Sequence, residues 1–356
     1  MIAILIGLFF AINIGASGAA ASMGIAYGSG VVKRRMALFL CAIAVFLGAF
    51  FGGEEVVKTL GSGIVPSSTF SVSITIIVLL SAALSLFLAN MLGIPLSTSE
   101  VVVGSIVGVG IVYQSIFVKS LLWIISFWLL TPLVAFIMAV IAATILTKKP
   151  VKSLLERPKI SRFLPFVVIL MGMFEAFSAG MNNVANAVGP LVGAGIMSMK
   201  NWVFWGGLFV ALGAVALGQK VLETNGKKIT KIRLEDGCII SGTGASIVTI
   251  ASIFGIPVPL TQITTSSIIG IGFVKDGFSV LKKKIVVQLL TVWIVSPVIS
   301  MVLSYTLIQI VIEQNFYPII VVLGVLISAL GTVSLMNKRD HESVLPKDSS
   351  LSEIND

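Results

Sequence analysis

The sequence predicts an all-α polytopic membrane protein built as an inverted repeat, with broken or re-entrant helices and about 10–12 membrane segments. Three observations predict it. Hydrophobic residues fill 57% of the 356 positions against 11% charged, and mean hydropathy is +1.09. Apolar runs long enough to cross a bilayer follow one another, with the basic residues between them gathered on one side. Two stretches of the chain also resemble each other at a fixed offset. A soluble domain carries about 25% charged residues. A chain this apolar cannot cover itself with polar surface, which excludes a soluble enzyme, a nucleic-acid-binding protein and a disordered chain. The net charge of +9 is then read as a sign of orientation in the membrane.

A membrane helix needs ~20 mostly apolar residues. Such runs are expected at 3–30, 36–58, 71–92, 95–112, 118–147, 163–197, 201–222, 238–254, 257–273, 285–312 and 317–336. The first has no basic leader and no convincing cleavage site, so it is read as a retained helix. The first and sixth are rich in glycine and are expected to be broken or halved. The runs 95–112 and 257–273 are short enough to be re-entrant. Lys33–Arg35, the cluster from Lys148 to Arg162, Lys227 to Arg233, Lys275 to Lys284, and Lys338 with Arg339 follow alternate runs, so all fall on one face. Basic loops stay in the cytoplasm. This places the N-terminus outside and the C-terminus inside, in a multi-pass protein of the cell (cytoplasmic) membrane. The expected organisation is a first copy at 1–147, a basic cytoplasmic linker at 148–162, a second copy at 163–312, an extra helix at 313–336 and a cytoplasmic tail at 337–356. Cys41 and Cys238 form no disulfide or metal pattern, and the single histidine, His341, falls in the tail.

Sliding the chain by 165 positions aligns Ala11–Ile64 with Ala176–Ile229 without a gap, and 16 of the 54 pairs are identical. Gly15/Gly180, Gly30/Gly195, Gly48/Gly213 and Gly53/Gly218 are among them. Further on, Gly93-Ile94-Pro95 matches Gly255-Ile256-Pro257. Each copy holds an odd number of runs, so the second must insert upside down. Inverted repeats with glycine-interrupted helices at matching positions point to a secondary transporter with its site between the copies near the bilayer midplane.

Four segments carry the chemistry. Gly15-Ala16-Ser17-Gly18-Ala19-Ala20-Ala21-Ser22 pairs with Gly180-Met181-Asn182-Asn183-Val184-Ala185-Asn186-Ala187. Pro95-Leu96-Ser97-Thr98-Ser99-Glu100 pairs with Pro257-Val258-Pro259-Leu260-Thr261-Gln262-Ile263-Thr264-Thr265-Ser266-Ser267. A helix broken by glycine or proline frees backbone N–H groups, which lipid tolerates only around a protein-lined cavity. The N-terminus of a half-helix then offers free donors and the positive end of a dipole, which suits an anion. Ser17, Asn182, Asn183, Ser97, Thr98, Ser99 and Thr261 stand beside these breaks and are expected to bind substrate. Gly28, Gly30, Gly48, Gly53, Gly108 and Gly110 are read as packing residues, and Asn13 and Asn186 are open between the two roles. Acidic residues inside spans are costly and default to functional candidates. Glu175, two turns before Asn182, and Glu100, beside Ser97–Ser99, are therefore the proton-coupling candidates. A structural hydrogen bond between helices is the rival role for each. Glu54 and Glu55 lie within a turn of Lys58, which can pair with them.

The stretch from Phe177 to Pro190 resembles the duplicated signature of the inorganic phosphate transporter (PiT) family, and Pro95-Leu96-Ser97-Thr98-Ser99 is similar to that family's P-x-S-T-T segment. The likeness covers nearly the whole chain. It implies an inverted repeat of membrane helices and import of phosphate with sodium or protons. The chain departs from the pattern at the signature Asn-Asp, which is Ser17-Gly18 in the first copy and Asn182-Asn183 in the second. The family histidine is replaced by Glu100 and by Gln262. These departures resemble the sulfate permease branch of the family.

The chemistry of the anions leads to the same branch. Phosphate near neutral pH keeps a P–OH that a carboxylate accepts, whereas sulfate has no proton and only accepts. A site of N–H, O–H and amide donors without a carboxylate suits sulfate. Loss of the aspartates also removes hard oxygen ligands for sodium, so protons are the expected coupling ion, and no cofactor or metal is implied. The expected activity is sulfate import by proton symport and alternating access, without enzymatic turnover. Phosphate import and a passive anion channel are the alternatives. The partners implied are sulfate, other tetrahedral oxyanions such as thiosulfate, the lipid bilayer and a second copy in a homodimer; nucleic acid is not among them.

Overall fold

The computed structural model describes residues 1–91, 96–227, 233–282 and 284–321. Among them every regular element is helical. Ten helices carry the architecture: α1 (Ile2–Ile14), α2 (Arg34–Gly52), α3 (Val72–Met91), α4 (Thr98–Val112), α5 (Val118–Thr147), α6 (Pro158–Gly193), α7 (Met199–Leu217), α8 (Leu234–Ile253), α9 (Leu260–Asp276) and α10 (Lys284–Val311). Shorter helical pieces link them. Seven helical segments among the described residues are long and apolar enough to cross a membrane: Ile2–Ser22, Arg34–Gly52, Val118–Thr147, Pro158–Gly193, Met199–Leu217, Leu234–Ile253 and Thr291–Val311. Val72–Phe87 and Thr98–Val112 are shorter apolar helices. Leu129, Leu130, Leu133 and Ile137 of α5 and Ile294, Val298 and Ile299 of α10 are exposed. Such faces are unfavourable in water by about 25 cal/mol per Å² and find a matching solvent in lipid. The chain is a multi-pass membrane protein.

The expected runs fall on these helices, because stretches of ~20 apolar residues leave few other ways to satisfy the backbone in a bilayer. Gly93-Ile94-Pro95, residues 228–232 with Lys228 and Lys231, Lys283, most of the expected run 317–336, and the expected tail 337–356 with Lys338, Arg339 and His341 lie outside the described residues. Met1–Tyr305 forms one compact unit, and a second unit begins at Thr306. The described part of the second unit ends α10 and turns at Gln314, where φ is 53°, with Asn315 Nδ2 donating to Gln309 Oε1 over 3.0 Å.

The two glycine-rich runs behave differently. The first is broken as expected: α1 passes into a π-helical turn at Gly15–Ala19, and the helix breaks again at Met23. The sixth is not broken, which corrects the expectation from its glycines. Helix α6 runs without interruption for 36 residues with Pro165 and Pro190 inside it. Gly180 serves close packing instead of a break, since a Cβ there would fall on the backbone carbonyl of Val45 in α2.

That contact is one of a reciprocal set. A Cβ on Gly180 would strike Val45 O and Ala49 N, and a Cβ on Gly15 would strike Val210 O and Ala214 N. Each residue of the second contact is 165 positions from its counterpart in the first. In the same way Gly48 lies on Phe177 O and Gly213 on Ile12 O. An interface in which i meets j and the counterpart of j meets the counterpart of i is isologous, the signature of a two-fold relation. Helix α6 thus packs on α2 as α1 packs on α7. The same register recurs at the turns after the first helices, where Gly30 and Gly195 both take positive φ, 76° and 65°.

Helix α6 also packs along α8, and α5 along α9. At the end of α8 the Asp236 carboxylate, 1% exposed, accepts from Arg233 and from Lys275 Nζ at 2.6 Å, which ties α8 to the end of α9. Lys58 pairs with Glu55 at 2.5 Å on an exposed face, the pairing expected from their spacing.

Candidate functional site

The middle of α6 is buried on all sides from Ala176 to Leu191, except at Phe177. Asn182, Asn183 and Asn186 lie within little more than one turn, so their amides project to one region. Two helix N-termini meet them there. Helix α4 begins at Thr98 after the extended Ser97, and α9 begins at Leu260 after Pro259. Neither receives a side-chain cap. The first N–H groups of a helix have no acceptor within it. Among the described residues the first helical acceptor bonds are Val101 N to Ser97 O in α4 and Gln262 N to Pro259 O in α9. Among the described residues the N–H groups of Thr98, Ser99 and Glu100 meet no acceptor, and both helices turn their positive ends inward.

The segment before α9 explains why α9 can start inside the protein. Residues 254–259 leave the helix at Gly255, whose φ is 69°, and run through two prolines that carry no N–H. Ile256 N bonds Ala251 O, and Val258 N bonds Asn182 Oδ1 at 3.1 Å. The Ile256 carbonyl accepts from Asn182 Nδ2 at 3.0 Å, and the Pro257 carbonyl from Trp128 Nε1 at 2.9 Å. Irregular backbone in an apolar interior persists only when its polar groups are met in this way.

Asn182 is thereby saturated. Its Nδ2 donates to Ile256 O and to Ser252 Oγ, and its Oδ1 accepts from Val258 N and from Ser99 Oγ. An amide offers two donors and two acceptor sites, and all four are taken. The backbone partners fix which way the amide points.

Thr98 and Ser99 form a fork between the other asparagines. Asn186 Nδ2 donates to both hydroxyls, at 3.1 and 3.2 Å. Thr98 Oγ1 donates to Asn183 Oδ1 and Ser99 Oγ to Asn182 Oδ1, each over 3.4 Å. These last two bonds are long and weak, so the hydroxyls are the donors most easily redirected. Among the described residues Asn186 Oδ1 is buried without a partner. Asn183 faces Gly18, and a Cβ on Gly18 would lie 3.4 Å from Asn183 Nδ2 with nothing else within 4 Å. The region can donate from hydroxyls, amides and backbone N–H groups, and among the described residues no carboxylate bonds these groups.

The carboxyls nearby point elsewhere. Glu100, 1% exposed, accepts from Gln262 Nε2 of α9 and Ser296 Oγ of α10. Glu175, 4% exposed, accepts from Thr264 Oγ1 of α9 at 3.1 Å, beside Gly244 of α8.

Against this geometry stand the comparisons with known proteins. The profile of the phosphate transporter family matches residues 14–167 and again 147–304. The chain belongs to the phosphate transporter family. Sulfate permease CysP of Bacillus subtilis (strain 168) is 54% identical over 336 residues, covering 94% of each chain. The chloroplastic inorganic phosphate transporter 2-1 of Arabidopsis thaliana is 25% identical, across 82% of this chain and 69% of that one. Among solved structures, the sodium-dependent phosphate transporter superposes with a TM-score of 0.71 at 24% identity, covering 87% of this chain and 99% of that chain. That likeness places this family member in the transporter's fold.

The substrate residues expected from the sequence divide in two. Thr98, Ser99, Asn182 and Asn183 come together. Ser17 lies at the π-helical turn beside Gly18 but spends its hydroxyl on Asn13 O of its own helix, at 3.0 Å. Ser97 precedes α4, and Thr261 is half-buried on the first turn of α9; neither side chain bonds the asparagine group among the described residues. Asn186, left open between packing and binding by the sequence, is in the centre; its i+4 spacing from Asn182 is the signal that could have placed it there. Thr264 falls inside the second-copy motif but is not singled out in it, and Ser252 and Ser296 have no comparable signal, because each owes its place to tertiary packing.

Proposed function

We propose that this chain imports sulfate across the cell membrane by proton symport and alternating access, with the N-terminus outside and the C-terminus inside. The observation that carries the reading is the meeting of the uncapped N-terminus of α4, through Thr98 and Ser99, with Asn182, Asn183 and Asn186, while the segment leading into the uncapped start of α9 is held by Asn182. This arrangement favours a fully deprotonated oxyanion, which needs donors and offers none. The 54% identity to a protein named sulfate permease supports the same substrate. In this reading Thr98 and Ser99 turn their hydroxyls from the asparagine oxygens to the anion. Asn183 supplies its Nδ2, and Ser17, Ser97 and Thr261 lie along the approach. Asn182 holds the backbone that shapes the site. Glu100 and Glu175, kept away from the anion by their own partners, carry protons. The side chains that meet the asparagines are nearly sealed from solvent, which supports an occluded step of an alternating cycle over an open channel. Against 100 mV, inside negative, a dianion alone would enter at a cost of about 4.6 kcal/mol, twice ~2.3 per charge. A passive channel would therefore lose sulfate.

Uptake of labelled sulfate into proteoliposomes holding the full chain tests the proposal. An inward proton gradient without sodium drives accumulation, and thiosulfate or selenate competes far better than phosphate. Thr98→Val and Ser99→Ala each raise the apparent KM about tenfold or more, because a hydrogen bond to a charged group contributes ~1.5–3 kcal/mol. Equal competition by phosphate moves the substrate to phosphate, and an absolute sodium requirement removes the proton assignment.

A further inference from the structure

The two buried carboxyls sit on different helices with different partners, yet one turn of α9 holds both. Gln262 donates to Glu100, and two residues on Thr264 donates to Glu175. Successive residues of a helix are about 100° apart around its axis, so positions two apart point to nearly opposite sides. The start of α9 is thus wedged between the carboxyls. Glu100 has Ser296 of α10 as its other partner. Around Glu175 stand the Ser241 hydroxyl and Gly244 of α8, and the Cys41 thiol of α2 is close enough to feel its charge. Among the described residues no lysine, arginine or histidine pairs with either carboxyl. A carboxylate buried without a cation is strongly unfavourable. A bound proton is the counter-charge left to each. Two such sites match the two charges of sulfate.

We propose that Glu100 and Glu175 bind one proton each per sulfate carried, so that import is electroneutral, and that the N-terminal end of α9 links the two sites through Gln262 and Thr264. This rests on the reading of the chain as a proton-driven sulfate importer. Glu100 and Glu175 then load and release together, because a shift of α9 that leaves one leaves the other.

The test uses proteoliposomes of the full chain with membrane potential clamped by potassium and valinomycin. Labelled sulfate accumulation is measured at steady state over a series of pH gradients. With two protons per sulfate, the accumulation ratio rises roughly a hundredfold per pH unit, tenfold for each proton, and does not change with the clamped potential. Glu100→Gln and Glu175→Gln each reduce the rise to about tenfold per pH unit, one proton in place of two, and make accumulation fall when the interior is negative. A tenfold rise in the unmodified protein, opposed by an inside-negative potential, overturns this inference while leaving the importer reading in place. A variant that keeps the hundredfold rise removes its carboxyl from the pair and overturns the proposal. If the unmodified protein accumulates no sulfate at any gradient, both readings fail. The potential dependence of the unmodified protein decides the question even where a variant does not fold.

Discussion

Glu100 and Gln262 occupy the same position in the two copies of the repeat, 162 residues apart, and hydrogen-bond to each other. Only residues beside the relating axis can touch their own counterparts. Gly18 and Asn183 do the same, with the amide of one copy over the bare Cα of the other. The axis therefore runs through the candidate site, and in both pairs the two copies carry different residues. A carboxyl meets an amide at one, and an amide meets open space at the other. Divergence of the copies has let one site hold groups that strict symmetry would duplicate.

This pairing makes an exchange experiment informative. Gln262→Glu alone brings two carboxyls into contact in a buried place, where both cannot be charged together. Its melting temperature in detergent is expected to fall below that of the unmodified chain, and further as pH rises, because raising the pH strips the proton the pair must share. The double exchange Glu100→Gln with Gln262→Glu restores one carboxyl and one amide. It is expected to recover most of the lost stability. A double variant no more stable than Gln262→Glu would mean that the two side chains do not act as a pair.

Asn182 gives a prediction opposite to the one its motif suggests. Beside a glycine in a transport signature it reads as a substrate ligand. Its four hydrogen bonds to Ser252, Ile256, Val258 and Ser99 make it the clamp that holds the 254–259 segment. Asn182→Ala leaves the Val258 N–H and the Ile256 carbonyl buried without partners, at ~1–3 kcal/mol each. The variant is expected to lose thermal stability whether or not sulfate is present. A raised KM with an unchanged melting temperature would return Asn182 to the ligands.

These cases mark how far the sequence can be read. Membrane runs are legible because a helix in lipid must satisfy its backbone internally, and that constraint is written in ~20 consecutive residues. The offset of 165 is legible because close helix crossings admit only glycine, so Gly15, Gly48, Gly180 and Gly213 keep their register. A glycine kept for packing looks the same in sequence as a glycine kept for a break, which is why Gly180 suggested an interruption that α6 does not have. Thr261 and Gln262 differ by one position in a motif but point about 100° apart on α9. The choice between them depends on which neighbour the helix meets. Ser296 reaches Glu100 from 196 residues away, and nothing local to either residue announces it.

The reciprocal glycine contacts allow the two-fold relation itself to be tested. Gly15 faces Val210 and Ala214 of α7, and Gly180 faces Val45 and Ala49 of α2, in the same geometry with the copies exchanged. Any side chain at either position meets backbone atoms, which cannot swing aside as a side chain can. Gly15→Val and Gly180→Val are expected to cost well over the ~1–3 kcal/mol typical of overpacking. Gly30 and Gly195 form the contrasting pair. No atom lies within 4 Å of a Cβ at either, and the strain comes from positive φ alone. Gly30→Ala and Gly195→Ala are therefore expected to cost about 1–2 kcal/mol each, the difference between left- and right-handed backbone for an L-residue. Thermal unfolding of the four variants in detergent checks both halves. The members of each pair should match one another, and the first pair should be far less stable than the second. A severe effect at Gly15 with a mild one at Gly180 would show that the two crossings are not equivalent.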